Sequence, residues 1–465
     1  MSDHAHEHAH EHAHEHAHDH AHDHAHGGLF LESGTESIQR CASCGHTLAA
    51  LDAAASCPAC DGLLDIVHVA PRDVMGAPLH GMALRAHFAQ HCCARPLGSP
   101  SGVWRFESLV MPGAGSAIVS HPEGNTPLLT RPAIDRFAGL EGLRIKHEGH
   151  NPTGSFKDRG MTVGVTQAVR LGASAVACAS TGNTSAALAS YAAQAGIPGL
   201  VFVPAGKIAL GKLAQTLGYG ARTLIVRGDF DDCLRLVQDA ARELGIYLLN
   251  SINPWRVEGQ KTIVPEMLQQ LGWESPDFIV LPAGNLGNTA AFGKALREAH
   301  ALGLIDRVPR LVAVQAAGSA PFARGYRDGF ATRYTVTADT IATAIRIGDP
   351  ASWDRAVRAI RETNGMVLSC TDDEIIEAKV VIDAAGVGCE PASAASVAGV
   401  RQLVRDGVIT PGQRVVAVLT GHVLKDPGIL VDLHQRADFA SANRPIEIDA
   451  DVRAVARVLE QRSVV

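Results

Sequence analysis

Short apolar runs recur from about residue 140 onward, separated by stretches with a helical pattern. They are 175–179 (AVACA), 200–203 (LVFV), 223–226 (TLIV), 278–281 (FIVL), 311–314 (LVAV) and 415–419 (VVAVL). Each has the length of a strand, and most are followed by Gly, Asn, Ser or Thr and then by a helix-like stretch. Nearly all-apolar strands that alternate with helices predict parallel sheets covered on both faces, hence an α/β fold. Ligands of such sheets bind at the carboxyl ends of the strands.

Composition and charge narrow the class of protein. The chain has 465 residues, 46% of them hydrophobic, and a formal net charge of -7. This length suffices for two or three domains. The mild acidity gives no reason to expect a nucleic-acid partner, and no apolar run approaches the ~20 residues of a membrane span. The N-terminus lacks the basic-then-apolar pattern of a signal peptide, so we expect a cytoplasmic protein without a membrane partner.

Residues 1–28 form a low-complexity segment. Twelve histidines, from His4 to His26, occupy alternate positions and are separated by Ala, Glu or Asp. With so little to bury, the segment is predicted to be a disordered tail. Imidazoles interleaved with carboxylates favour weak chelation of zinc, nickel or copper. The alternative is an inert tail or a purification artefact.

Four of the ten cysteines lie in one compact cluster within residues 29–70. Cys41 and Cys44 form one CxxC pair, and Cys57 and Cys60 form a second pair after twelve intervening residues. Two such pairs at this separation predict a zinc ribbon in which four thiolates surround one structural Zn²⁺. The alternative is a ribbon that keeps this fold without metal.

Two turns after predicted strands carry more polar residues than a turn requires. The first, 180–185 (STGNTS), opens an Ala-rich helix and predicts a receptor for a carboxylate, with an ordinary helix cap as the alternative. The second, 282–289 (PAGNLGNT), also opens a helix, and Gly284 and Gly287 would let its backbone approach a phosphate. The second turn is neither the dinucleotide fingerprint nor a P-loop, and its alternative is a tight turn.

Lys157 lies in the segment that is richest in potentially reactive side chains, 146–160 (KHEGHNPTGSFKDRG). It stands among Ser155, Phe156 and Asp158 at a predicted loop-to-helix junction, which favours a catalytic amine. The alternative is a solvated surface lysine.

Taken together, these segments resemble threonine synthases, which are pyridoxal-phosphate enzymes of the tryptophan-synthase-β structural type. The resemblance covers about residues 38–430 and is carried by the cysteine ribbon and by 123–128 (EGNTPL), 151–160 (NPTGSFKDRG), 180–184 (STGNT), 253–262 (NPWRVEGQKT), 284–288 (GNLGN) and 419–422 (LTGH). It implies a catalytic domain over 71–440 with a smaller subdomain over about 150–248, two parallel-sheet α/β units with the cofactor between them, and a C-terminal tail over 441–465. It also implies a homodimer.

The resemblance assigns roles to individual residues. Lys157 would form a Schiff base with pyridoxal 5'-phosphate and move protons, Asn183 would bind the cofactor's phenolic oxygen, and Thr420 would face its ring nitrogen. The cofactor phosphate would be held by Gly284, Asn285, Leu286, Gly287 and Asn288, although many members have alanine where this chain has Leu286. The substrate carboxylate would be bound by Ser180, Thr181 and Thr184. The substrate phosphate would be bound by Ser251, Arg256 and Asn288, with Lys207 as a weaker candidate.

The implied reaction is the conversion of O-phospho-L-homoserine and water to L-threonine and phosphate. Cysteate synthase, which adds sulfite to an intermediate derived from O-phosphoserine, is the alternative enzyme, and a dehydratase is less favoured because it needs no phosphate site. A metal-storage or metallochaperone protein, with the ribbon and tail as its working parts, is the alternative from another class.

Overall fold

The computed structural model describes residues 28–31, 37–91, 101–205, 210–228, 230–436, 438–439 and 441–460. The segment 1–27 and Lys207 lie outside these residues, so a disordered chelating tail and a phosphate contact from Lys207 remain predictions. Among the described helices, none is both long and apolar enough to cross a membrane.

The strands and helices alternate through most of the chain. The strands are β1 (Ile38–Cys41), β2 (Thr47–Ala49), β3 (Leu64–Val67), β4 (Leu128–Leu129), β5 (Arg144–His147), β6 (Ala175–Ala179), β7 (Gly199–Pro204), β8 (Arg222–Val226), β9 (Ile246–Leu248), β10 (Phe278–Pro282), β11 (Arg310–Ala316), β12 (Met366–Cys370) and β13 (Val415–Leu419). The helices are α1 (Gly81–His91), α2 (Glu107–Val110), α3 (Pro132–Ala138), α4 (Lys157–Leu171), α5 (Asn183–Ala195), α6 (Leu210–Gly218), α7 (Phe230–Leu244), α8 (Pro254–Lys261), α9 (Ile263–Gln270), α10 (Gly287–Ala301), α11 (Pro321–Arg327), α12 (Trp353–Glu362), α13 (Asp372–Ala384), α14 (Pro391–Arg405), α15 (Pro427–Gln435) and α16 (Val452–Glu460).

The larger sheet has six strands in the order β12-β11-β10-β13-β5-β4. Five of them run parallel, and the two-residue β4 pairs antiparallel to β5 at one edge. Every side chain of β10 and β13 is buried, as expected for apolar central strands covered on both faces. This sheet confirms the predicted α/β fold and contains three of the six apolar runs.

The smaller sheet contains the other three apolar runs, in the parallel order β8-β7-β6-β9. Val176 and Cys178 of β6 pack with Leu188 of α5, whereas Ala177 packs on the opposite side with Val237 of α7. The expectation that every apolar run is covered on both faces is wrong for β8, where the side chain of Ile225 is 58% exposed. The physical reason is that the helices α5 and α7 pack mainly on β6, β7 and β9, so the outer strand β8 is less covered on its faces.

The strand β5 carries a buried charge that the apolar pattern does not predict. The Nζ atom of Lys146 lies 2.6 Å from Oε1 of Glu266 on α9, and the same oxygen lies 2.8 Å from Nη2 of Arg159 on α4. A second carboxylate, Glu148, lies 2.7 Å from Nε of Arg159. All four side chains are fully buried. Although burial lowers it, the two carboxylates raise the pKa of Arg159 above its usual value, so the cation is fixed in the first turn of α4.

The N-terminal module is a three-stranded antiparallel sheet in the order β2-β1-β3, and polar contacts join it to helices of the rest of the chain. Asp65 on β3 lies 2.9 Å from Nε of Arg355 on α12. Just after β3, Nε2 of His68 lies 2.8 Å from a carboxylate oxygen of Glu258 on α8. The module is therefore joined to helices of the larger unit through buried polar contacts.

We predict that Glu266→Gln lowers the free energy of unfolding by about 3–5 kcal/mol, because it leaves two buried cations without their shared carboxylate. The measurement is a urea unfolding curve followed by circular dichroism. The matched control is Glu377→Gln, which breaks an exposed pair with Arg401 and should cost about 0–1 kcal/mol. Equal losses in the two variants would contradict a central role for the buried cluster.

Candidate active site

Lys157 is the first residue of α4, and its position is set by the end of β13. The backbone N–H of Phe156 donates to the carbonyl of Thr420 at 3.0 Å, and Ser155 forms an isolated antiparallel bridge with Gly421. The backbones of two segments about 260 residues apart in sequence are thus hydrogen-bonded to each other. The loop before Lys157 is held against the carboxyl end of a central strand, where sheets of this type bind ligands.

The amine of Lys157 lies in an environment that disfavours its charge. Burial and the nearby guanidinium of Arg256 together lower its pKa to about 7, although the carboxyl of Glu390 opposes the shift. The Nζ atom lies 4.2 Å from the centroid of the Phe156 ring. A lysine with this pKa is substantially neutral near pH 7, and a neutral amine can act as a nucleophile or as a base.

Asn183 and Thr420 approach the same buried carboxyl group from different sheets. The amide of Asn183, at the start of α5, donates to Oε2 of Glu390 at 2.9 Å. The hydroxyl of Thr420, just after β13, lies 3.4 Å from Oε1 of the same residue. The structure therefore brings together two residues for which the resemblance implies cofactor contacts.

Glu390 is the functional candidate that sequence reasoning missed. Its side chain is 2% exposed, and burial raises its pKa. A Cβ atom built on Gly421 would lie only 2.4 Å from this carboxyl group, so residue 421 must be glycine for the carboxyl to sit there. The available signal was a lone acidic residue before Pro391, which opens α14 at its first position.

The predicted phosphate loop follows β10 and opens α10. Leu286 has the left-handed backbone conformation, with φ of 64°, and Gly287 begins the helix. A Cβ on Gly284 would come within 2.9 Å of the Cα of Ile345, so this glycine is needed for packing against the chain itself. A Cβ on Gly287 would meet only the side-chain oxygen of Gln260, at 3.5 Å, which leaves room in front of the helix N-terminus.

The side chain of Asn285 forms hydrogen bonds with other residues of the chain. Its amide nitrogen donates to Oγ of Ser251 at 2.9 Å, and its oxygen accepts the backbone N–H of Ala351 at 2.8 Å. These bonds place Ser251, a candidate for the substrate phosphate, beside the phosphate loop. Asn285 can therefore offer a ligand its backbone N–H rather than its side chain.

Several buried polar groups near this loop have no hydrogen-bond partner in the described part of the chain. They are both side-chain polar atoms of Asn288, the hydroxyl of Thr289, and Nε and Nη2 of Arg256. Arg256 is anchored only through Nη1, which donates to the carbonyl of Leu249 at 2.9 Å, and burial lowers its pKa to about 10. Unpaired buried donors are costly, so their grouping indicates a site for an anionic ligand.

The predicted carboxylate receptor lies at the N-terminus of α5. Ser180 precedes the helix, and its hydroxyl accepts the N–H of Gly182 at 3.2 Å. Thr181 and Thr184 are partly buried in the same turn, on either side of Asn183. The hydroxyls and N–H groups at this helix end suit a carboxylate.

The four cysteines of the N-terminal module come together. The sulfur atoms of Cys41, Cys44, Cys57 and Cys60 all lie within 4.8 Å of one another, with separations of 3.5 Å for Cys41–Cys60 and 3.6 Å for Cys44–Cys57. Zn–S bonds of about 2.3 Å in a tetrahedron place the sulfurs roughly 3.8 Å apart. No disulfide joins the cysteines of the described ranges. The cluster can hold a metal ion.

The class of protein follows from this site and from a family comparison. The family of pyridoxal-phosphate-dependent enzymes matches residues 119–421, which include Lys157, Asn183, the phosphate loop and Thr420. The chain belongs to this family.

Curated relatives narrow the class. Threonine synthase of Methanosarcina acetivorans is 46% identical over 406 residues, which are 87% of this chain and 96% of that protein. Threonine synthase of Methanocaldococcus jannaschii is 42% identical over 426 residues, which are 91% of this chain and all of that protein. These relatives place the chain among the threonine synthases and confirm the resemblance carried by its motifs.

A solved structure supports the fold. Threonine synthase of Escherichia coli superimposes with a TM-score of 0.64, over 91% of this chain and 99% of that one, at 19% sequence identity. At this identity the likeness concerns the fold alone.

The described residues fit the family's cofactor. Lys157 offers an amine of lowered pKa for the aldehyde, and the unpaired groups of Asn288 and Thr289 at the start of α10 offer donors for the phosphate. Gly287 leaves the backbone of that helix end open to a ligand. Thr420 presents a hydroxyl rather than a carboxylate at the end of β13.

We predict that the amine of Lys157 reacts half-maximally near pH 7 instead of above pH 10. It is protonated and unreactive below its pKa and nucleophilic above it, so its reductive methylation in the cofactor-free protein should rise with pH through neutrality. Peptide mass spectrometry measures the extent of modification. Arg256→Leu removes a cation and should move the midpoint up, whereas Glu390→Gln removes an anion and should move it down. Shifts in the same direction would contradict this electrostatic arrangement.

Proposed function

We propose that this protein converts O-phospho-L-homoserine and water to L-threonine and phosphate with pyridoxal 5'-phosphate as cofactor. The proposal is carried by a lysine of lowered pKa together with two groups of buried, unpaired hydrogen-bond donors that could each bind a phosphate. A simple dehydratase needs donors for the cofactor phosphate only. Arg256 supplies the second group, since its free Nε and Nη2 form a fork that suits a phosphate.

The cofactor would be held at both ends. Lys157 would bind its aldehyde carbon, and Asn183 would bind its phenolic oxygen. The loop from Gly284 to Asn288, with the N-terminus of α10, would hold its phosphate, and Thr420 would face its ring nitrogen. When bound, this cofactor withdraws electrons from the carbon skeleton of an amino acid and so permits proton removal at carbon.

The substrate would be oriented by its two anionic ends. Ser180, Thr181 and Thr184 would bind its carboxylate at the start of α5, and Ser251, Arg256 and Asn288 would bind its phosphate. This arrangement would fix the carbons between the two ends beside Lys157. Because the amine is neutral near pH 7, it would take protons from Cα and Cβ and return them as phosphate leaves Cγ and water adds at Cβ.

A product assay tests the proposed function. Purified, cofactor-loaded protein receives either O-phosphohomoserine, or O-phosphoserine with sulfite, and phosphate and amino-acid products are followed. We expect threonine and phosphate in equal amounts from the first substrate, no cysteate from the second, and loss of activity in Lys157→Ala. Arg256→Leu should raise KM about 10- to 100-fold, as expected for loss of a hydrogen-bonded charge. Cysteate from the second mixture alone would contradict the proposal.

We also propose that the four cysteines bind one structural zinc ion. The backbone N–H groups of Ser43 and Cys44 point to the sulfur of Cys41 at 3.4 and 3.5 Å, an arrangement that favours a thiolate there. A closed four-sulfur site leaves no open position for catalysis, so the metal would stabilise the module.

We predict that a chain lacking residues 2–27 retains about one zinc ion, and that Cys57→Ser in that chain loses it together with part of its thermal stability. Metal content is measured by plasma mass spectrometry after dialysis against a weak chelator. Retention of metal by the full-length chain only would assign the binding to the histidine-rich tail instead.

A further inference from the structure

Ser393 is the third residue of α14 and lies against Thr420, and none of the motifs in the sequence includes it. Its side chain is fully buried. Its Oγ atom accepts two backbone hydrogen bonds, from the N–H of Thr420 and the N–H of Gly421, each at 2.9 Å. The same atom lies 3.0 Å from Oγ1 of Thr420.

These contacts fix the direction of the hydrogen bond between the two hydroxyls. A serine hydroxyl has one hydrogen and two acceptor positions, and the two N–H groups fill both positions. The hydrogen of Ser393 must therefore be donated. Its acceptors are Oγ1 of Thr420 at 3.0 Å and the carbonyl of Gly421 at 3.5 Å, which is at the outer limit of a hydrogen bond. The shorter contact is favoured, so Ser393 donates to Thr420.

Thr420 is then left with a hydrogen of its own to donate. The acceptor that the chain offers is Oε1 of Glu390, 3.4 Å away, which exceeds the usual 2.5–3.0 Å of an O–H···O bond. The other oxygen of Glu390 is occupied by Asn183. The hydroxyl of Thr420 is thus a donor without a short acceptor in the described part of the chain, at the position where the proposed cofactor ring would end.

We infer that Ser393 is a positioning residue that orients the hydroxyl of Thr420 as a donor to the cofactor's ring nitrogen and so keeps that nitrogen unprotonated. This inference rests on the proposed role of Thr420 toward the cofactor. A hydroxyl alone can either donate to a bare nitrogen or accept from a protonated one. If Thr420 accepted from a protonated ring nitrogen, its own hydrogen would have to be donated to the distant Glu390. The bond from Ser393 therefore favours donation from Thr420 to an unprotonated nitrogen. An unprotonated ring withdraws electrons less strongly, which restricts side reactions such as transamination.

The test reads the ring nitrogen directly. Protein is loaded with pyridoxal phosphate labelled with ¹⁵N in the ring, and nitrogen magnetic resonance separates the protonated from the unprotonated form. Thr420→Asp supplies the reference for a protonated ring, because a carboxylate there stabilises the N–H⁺. We expect the unprotonated resonance in the wild type. In Ser393→Ala we expect about a fivefold or larger rise in the ratio of protonated to unprotonated ring, the size expected for loss of one buried hydrogen bond.

The chain provides a matched control on the same helix. Ser396 is also buried, and its hydroxyl donates to the carbonyl of Ser393 at 2.9 Å, with no hydrogen bond to Thr420 among the described residues. Ser396→Ala should therefore leave the ring-nitrogen resonance unchanged. A change in Ser396→Ala equal to that in Ser393→Ala would overturn the specific role of Ser393.

Ser393→Ala leaves two buried N–H groups without an acceptor, so a second variant guards against misfolding. Thr420→Val keeps the backbone N–H bonds of residues 420 and 421 to Ser393 and removes the hydroxyl that would donate to the ring nitrogen, so it should raise the protonated fraction as Ser393→Ala does. A wild-type resonance at the position of Thr420→Asp would overturn the inference, as would no difference between the wild type and Thr420→Val. Failure of the wild type to take up the cofactor would instead contradict the proposed function.

Discussion

The hydrogen bonds and ion pairs of the buried Glu266 carboxylate are the interactions on which the rest of the α/β fold depends. The carboxylate accepts the backbone N–H groups of Asn125 and Thr126 at 2.8 and 2.9 Å, and it pairs with the buried cations of Lys146 and Arg159. These four partners belong to three separate segments of the chain. A buried charge is costly unless its partners are in place, so this carboxylate stabilises one joint arrangement of the three segments. Since Arg159 is two residues from Lys157, the same carboxylate fixes the start of the helix that carries the amine.

The N-terminal module forms hydrogen bonds to three helices of the candidate site, beyond the first turn of each helix. The amide of Gln167 on α4 donates to the carbonyl of Ala50 at 2.7 Å, and Lys294 on α10 donates to the carbonyl of Ile66 at 2.6 Å. Glu258 on α8 is bonded to His68. The helices α4, α8 and α10 are those whose first turns hold Lys157, Arg256 and the phosphate loop. The module thus contacts the bodies of three helices whose N-termini converge on the candidate site.

Much of the fold could be predicted from the sequence, because a strand covered on both faces must be apolar, and all six apolar runs are strands. The strand β5 could not, since three of its four residues (RIKH) are charged or polar and its buried Lys146 is compensated by Glu266, 120 residues away. The motifs pointed to Lys157 and Thr420 as separate candidates, and the structure joins their segments through the hydrogen bond from Phe156 to the carbonyl of Thr420. Glu390 was missed for a similar reason: its significance comes from a contact with Asn183, which lies 207 residues earlier in the chain.

We propose that Lys157 is the residue that binds the cofactor. The most direct measurement is borohydride reduction of the cofactor-loaded protein, which makes the bond between cofactor and lysine permanent, followed by peptide mass spectrometry. We expect a single pyridoxyl group per chain, on Lys157, and none in Lys157→Ala. Modification of another lysine, or a loaded protein with no modified lysine, would contradict it.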